Sequence, residues 1–98
     1  MIRHVVLFTW SETADADRRA RSVEALRGLQ ETVGGMTSLT VADDAGLSEG
    51  NADAVLIADV PDVDAFRTYA RHPAHVAVLD EHVRPFLAAA RRAVQYEA

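Results

Sequence analysis

Two stretches of this 98-residue chain are apolar on both faces when read as extended strands, and few architectures can hide both. Residues 2–10 place Ile2, His4, Val6, Phe8 and Trp10 on one side and Arg3, Val5, Leu7 and Thr9 on the other. Residues 53–60 repeat the pattern, with Val55 and Ile57 set against Ala54, Leu56, Ala58 and Val60. A strand that faces water on one side alternates apolar with polar residues. A strand apolar on both sides needs two covers.

Helices supply one of them. After residue 10, Ser11 or Thr13 is placed to cap a helix whose apolar positions Ala16, Ala20, Val23, Leu26, Leu29 and Val33 follow helical spacing, and Gly34-Gly35 ends it. A strand over 36–42 follows, with Thr37, Leu39 and Val41 on one side. Residues 43–51 form a polar connection carrying Gly46 and Gly50 before the strand at 53–60. Asp62 caps a helix bearing Val63, Phe66 and Ala70. Pro73 cannot continue that helix but suits the first position of a new one, which presents Val76, Leu79, Val83 and Leu87 and breaks near Pro85. A strand over 91–97 closes the series. The order β-α-β-β-α-α-β predicts an α+β fold of the ferredoxin-like, split βαβ kind: one domain over residues 1–98, with a four-stranded antiparallel sheet and its helices on one face.

The other sheet face then stays bare, and an apolar patch of that extent is larger than soluble monomers expose. A second copy of the chain is the simplest cover, because two-fold homodimers are the commonest oligomers. Two sheets facing each other would close an α+β barrel.

Composition narrows the function. Fifteen acidic residues against ten basic ones give a net charge of −5. The nearest approach to a basic run, Arg18-Arg19-Ala20-Arg21, shares its helix with Asp15, Asp17 and Glu24. Phosphate backbones and anionic lipid surfaces both call for a concentrated positive stripe, so neither nucleic acid nor membrane is expected as a partner. With no cysteine, thiolate nucleophiles and disulfides are excluded. The start of the chain lacks the length and small-residue cleavage site of a signal peptide, which makes the cytoplasm the expected location. None of the serines lies in a Gly-x-Ser-x-Gly elbow, and there is no glycine-rich phosphate loop, so no nucleotide cofactor is expected.

Proton-transfer groups remain. Tyr69-Ala70-Arg71-His72-Pro73-Ala74-His75 sets a phenol and two imidazoles around a helix corner, and His4 adds a third imidazole in the first strand. His72 and His75 have a His-x-x-His spacing, but Pro73 interrupts the helix and no third ligand follows, so no metal is expected. Each residue also has a structural reading. His4 would be a hydrogen-bonded core residue, His75 a brace for its helix, and Tyr69 a helix-edge residue with its hydroxyl in water. His72, held extended by the following proline, suits a cap, and His82 suits the surface. A pocket requires His4, Tyr69 and His75 to converge on a cavity; the opposite arrangement packs that space shut with Phe8, Trp10, Leu56 and Val94.

The opening Ile2-Arg3-His4-Val5-Val6-Leu7-Phe8, the His72-Pro73-Ala74-His75 element and the closing Val94-Gln95-Tyr96-Glu97 together resemble the stress-responsive A/B-barrel (Dabb) family of dimeric α+β barrels. The resemblance spans nearly the whole chain. It implies a homodimer and, for most bacterial members, an unassigned activity. A plant member closes a linear tetraketide thioester by intramolecular aldol condensation without a cofactor. By resemblance to it, His75 matches the general base, Tyr69 the group orienting the reacting carbonyl, and His4 a histidine lining the cavity. Where that cyclase has Gly-Phe, this chain has Ala77-Val78. The resemblance thus implies a domain that binds a small apolar, phenolic or keto molecule, with polyketide-cyclase-like chemistry as one alternative. Cofactor-free monooxygenation, known in other dimeric α+β barrels, is another.

Overall fold

In the computed structural model, which describes residues 1–98, the apolar alternation at the start of the chain becomes strand β1 (Ile2–Phe8). It pairs antiparallel with β3 (Ala54–Val60) on one side and β4 (Arg92–Glu97) on the other, and β3 also pairs with β2 (Ser38–Asp43). The sheet order is β2-β3-β1-β4, so the two strands apolar on both faces occupy the centre. That is the ferredoxin-like sheet expected from the element order. Trp10 lies beyond β1 and is held by an isolated antiparallel bridge to Leu87.

Helices α1 (Ala16–Arg27), α2 (Leu29–Val33), α3 (Val63–Arg71) and α4 (Pro73–Val78) complete the order. The first cap falls later than Ser11 or Thr13: their hydroxyls bond each other at 2.8 Å, and Asp15 Oδ1 accepts the Arg18 amide instead. Gly28, a poor helix former, divides the expected single helix in two. Gly34 and Gly35 end it with φ of 73° and 71°, a backbone that favours glycine. Asp62 caps α3 as expected, accepting from the Ala65 amide at 2.8 Å.

Leu79 and Val83 are buried as expected, but Val76 departs from the expected helix face. After α4 the chain widens into a π-helical turn (Leu79–Val83) and then a 3₁₀ turn (Arg84–Phe86). The buried positions are His75, Leu79 and Val83, whereas Val76 is exposed. An α-helix drifts in phase over steps of four, and the wider π turn takes up that drift. His75 therefore joins Leu79 and Val83 on the inner face.

The core lies on one side of the sheet, where Val6, Phe8, Leu56 and Ala58 pack against Val23, Leu26, Leu29, Tyr69, Leu79 and Val83. Phe8, Trp10 and Leu56 belong to this side; Val94 does not. On the opposite face Val5, Leu7, Val55, Ile57 and Val94 form an uncovered apolar surface, with Leu7 44% and Val94 56% exposed. One rim of that surface is polar. Arg3 donates to both carboxylate oxygens of Asp59 at 2.8 and 3.0 Å, and Ser38 donates to the same carboxylate at 3.1 Å. These bonds hold the Asp59 carboxyl below its ordinary pKa, with the Arg3 hydrogen bond as the main cause.

Candidate functional site

The corner between α3 and α4 is built by two residues. Proline disfavours helical backbone in the residue before it, and His72 is extended, with ψ of 132°. Its Nδ1 accepts the Ala74 amide at 3.1 Å and caps α4, whose first position is Pro73. The capping role expected of His72 is therefore the one observed. The turn swings His75 back onto the last turn of α3, where its ring meets that of Tyr69 at 4.4 Å between centroids, tilted by 41°.

His4 reaches the same place from the sheet. Its ring lies 6.2 Å from Tyr69, edge-on, and 5.0 Å from Phe66. One residue from the first strand and two from the α3–α4 corner thus form one aromatic cluster between the sheet and that corner. All are buried: Tyr69 is 2%, His4 5% and His75 7% exposed. Tyr69 is not the helix-edge residue of the alternative reading. Helix α3 turns it inward, and its hydroxyl has no hydrogen-bond partner. The cluster lies under the helices and not on the open sheet face. His82 stands apart from it, its Nδ1 2.7 Å from Arg18 Nη2.

Hydrogen bonds assign the imidazole tautomers. His75 Nδ1 lies 3.0 Å from the Ala70 carbonyl, which can only accept, so Nδ1 carries the proton and Nε2 keeps its lone pair. The Gln95 side-chain nitrogen lies 2.8 Å from His4 Nδ1 and donates to it, which puts the His4 proton on Nε2. Burial, reinforced by the charge of Arg91 and by His75, pushes the His4 pKa down to about 4. The His75 pKa is also lowered, chiefly by burial, with Arg91, Arg84 and His72 adding to it and the Ala70 carbonyl opposing. Burial pushes Tyr69 up to about 12. At neutral pH the cluster therefore holds one imidazole acceptor, one imidazole donor and one phenol donor, all uncharged.

Two cavities flank the cluster along β4. One of about 360 Å³ is lined by Phe66 and Gln95, both in contact with His4, together with Val63 and Arg67. The other, of about 510 Å³, lies between residues 84–91 and Ala93. Neither is lined by His4, Tyr69 or His75 themselves, so the cluster sits one side chain behind the surface. Sequence reasoning missed Gln95, which holds His4. The signal is register: Gln95 stands opposite His4 across the β1–β4 pair, a relation that no single strand displays.

No curated protein sequence matches the chain. Among solved structures, a dimeric ferredoxin-like protein of unknown function from Thermobifida fusca is 36% identical, with a TM-score of 0.90 over 99% of this chain and 90% of that one. The hydroxynitrile lyase of Passiflora edulis superposes with a TM-score of 0.84 at 14% identity, covering 97% of this chain and 90% of the lyase. An antibiotic biosynthesis monooxygenase gives 0.77 at 13% identity, covering 100% and 98%. At these low identities the last two share the fold alone. The model of the stress-responsive A/B-barrel domain matches residues 2–98, and the chain belongs to that family.

Proposed function

We propose that the chain is a homodimeric, cofactor-independent binding protein and proton-transfer catalyst for a small molecule with an apolar body and a keto or phenolic oxygen. The dimer forms through the uncovered face of the sheet, and each protomer carries its own site. The observation that carries the reading is the pairing of opposite hydrogen-bonding roles in one buried cluster: a free lone pair on His75 Nε2 beside an unpartnered Tyr69 hydroxyl, with His4 Nε2–H nearby.

Removing a proton from carbon beside a carbonyl needs a base and a donor for the enolate oxygen. His75 supplies the first. Such a group contributes about 10²–10⁴-fold when positioned. Its tether to Ala70 aims Nε2 and offsets part of the loss of basicity that burial brings. Tyr69 supplies the second; being pushed up to about 12, it stays protonated and able to donate. One such donor is worth about 10²–10³ in rate. His4 adds a donor while remaining neutral, so the site gains no buried charge. Phe66 and Gln95 separate His4 from the smaller surface cavity, and a ligand enters from the larger one, bordered by residues 84–93.

The same base would start an aldol closure like that of the plant cyclase. Exchange of the α-hydrogens of aryl ketones in D₂O tests the common first step with no need to know the substrate. The wild-type protein accelerates exchange, and His75→Gln loses the acceleration while keeping its melting temperature within a few degrees. Equal exchange rates for the two proteins, both folded, would refute the assignment of His75 as base.

A further inference from the structure

All ten basic side chains of the chain are arginines. Four of them are half-buried: Arg3, Arg18, Arg19 and Arg91. Three have partners, in Asp59, His82 and the Ala14 carbonyl. Arg91 has none. A half-buried guanidinium with no acceptor in the protein is free to take one from a ligand, and arginine's planar fork matches a carboxylate two bonds at a time.

Its position gives that vacancy a use. Ala93 and Gln95 stand opposite Val6 and His4 on the helix-side face, Gln95 is the residue that holds His4, and Arg91 immediately precedes this strand. Arg91 lines the 510 Å³ cavity with Leu87, Ala89, Ala90 and Ala93, an apolar wall beside a single unmatched charge. Arg84, the other cation there, is occupied by Asp80. The frame is fixed by backbone: the Ser11 amide donates to the Phe86 carbonyl at 2.7 Å and the Ala88 amide to the Thr9 carbonyl at 2.8 Å. Arg91 also acts on the cluster directly, since its charge disfavours protonation of both His4 and His75.

We propose that Arg91 receives the carboxylate of an acidic small molecule whose apolar body lies along the wall of residues 87–93 and whose keto or phenolic end reaches Tyr69 and His75. This rests on the function proposed above and narrows its substrate to an organic acid. A bound carboxylate cancels the Arg91 charge and so lifts the share of the lowering that Arg91 causes, while the larger share due to burial stays.

The test uses a matched pair of probes, 4-oxo-4-phenylbutanoate and its primary amide, followed by side-chain NMR of the four histidines. Wild-type protein binds the acid at least about 10-fold more tightly than the amide, the scale of one charge-assisted contact. The acid, and not the amide, raises the apparent pKa of His75. Arg91→Gln removes the preference and the shift, whereas Arg21→Gln, on the exposed side of α1, keeps both. If both probes move the His4 and His75 signals with equal affinity, the pocket stands and the carboxylate inference falls. If the preference survives in Arg91→Gln, the anion is held elsewhere and the inference is again overturned. If neither probe moves His4 or His75, both it and the underlying pocket reading are refuted.

Discussion

Replacing Tyr69 with phenylalanine separates a site from a scaffold, because the two make opposite predictions for stability. The Tyr69 ring packs against His75 at 4.4 Å and lies edge-on to His4 at 6.2 Å, and phenylalanine keeps both contacts. Only the hydroxyl is lost. That hydroxyl is buried without a partner, and leaving such a group unsatisfied costs about 1–3 kcal/mol. Removing it should therefore stabilise the fold by about 1–2 kcal/mol. For a chain of this size each kcal/mol moves Tm by about 4–8 °C, so the variant should melt roughly 5–15 °C higher at equal protein concentration. Ketone exchange should meanwhile fall about 10²-fold or more, as expected when an oxyanion donor is removed. Urea unfolding and D₂O exchange on the same samples give both numbers. A variant destabilised by more than about 0.5 kcal/mol would show that the hydroxyl is paired in solution and structural, refuting the argument.

Acid should weaken the fold through the same cluster. The unfolded chain protonates His4 near its ordinary 6.5 and the folded chain near 4, so its contribution is complete above pH 6.5 and is lost as pH falls toward 4. That span is worth about 3 kcal/mol, with His75 acting in the same direction, and urea unfolding at a series of pH values should show it shrinking in His4→Gln. Leu7→Lys places a charge in the uncovered sheet face without touching the core. Light scattering should fall from about twice 10.7 kDa to the single-chain mass, and an unchanged dimer would place the interface elsewhere. Gln95→Leu removes the donor to His4 Nδ1 and should raise the KM for keto probes more than it lowers kcat, because it frees the ring orientation without removing the base. A fall confined to kcat would instead assign Gln95 to the chemistry.

The fold was legible because its signals are local. Two-sided apolar strands called for a sheet covered on both faces, Gly34-Gly35 and Asp62 marked helix ends, and Pro73 marked the corner. The cluster was legible in part for the same reason: a His-Pro pair dictates a corner, and a corner brings Tyr69 and His75 together. What escaped needs information that no window of sequence contains. The first helix cap moved to Asp15 because Ser11 and Thr13 satisfy each other. The inner face of the helix after Pro73 moved from Val76 to His75 because a π turn reset its phase. Gln95 gained its meaning only from pairing register, which places it beside His4, and Arg91 only from the chain fold that sets it in the cavity wall.

Strand β1 carries two messages in alternate residues. His4, Val6 and Phe8 answer to the aromatic cluster and the core, whereas Val5 and Leu7 answer to whatever covers the bare face. Point substitutions in this strand perturb one message at a time. A single-residue insertion or deletion does something different, because it exchanges the two faces: His4 would be carried to the outer surface and an aliphatic residue into the cluster. Across the lineages that keep this domain, the apolar positions of the first strand should therefore drift by substitution within each parity class while its length stays frozen, a pattern of change set by pleat geometry.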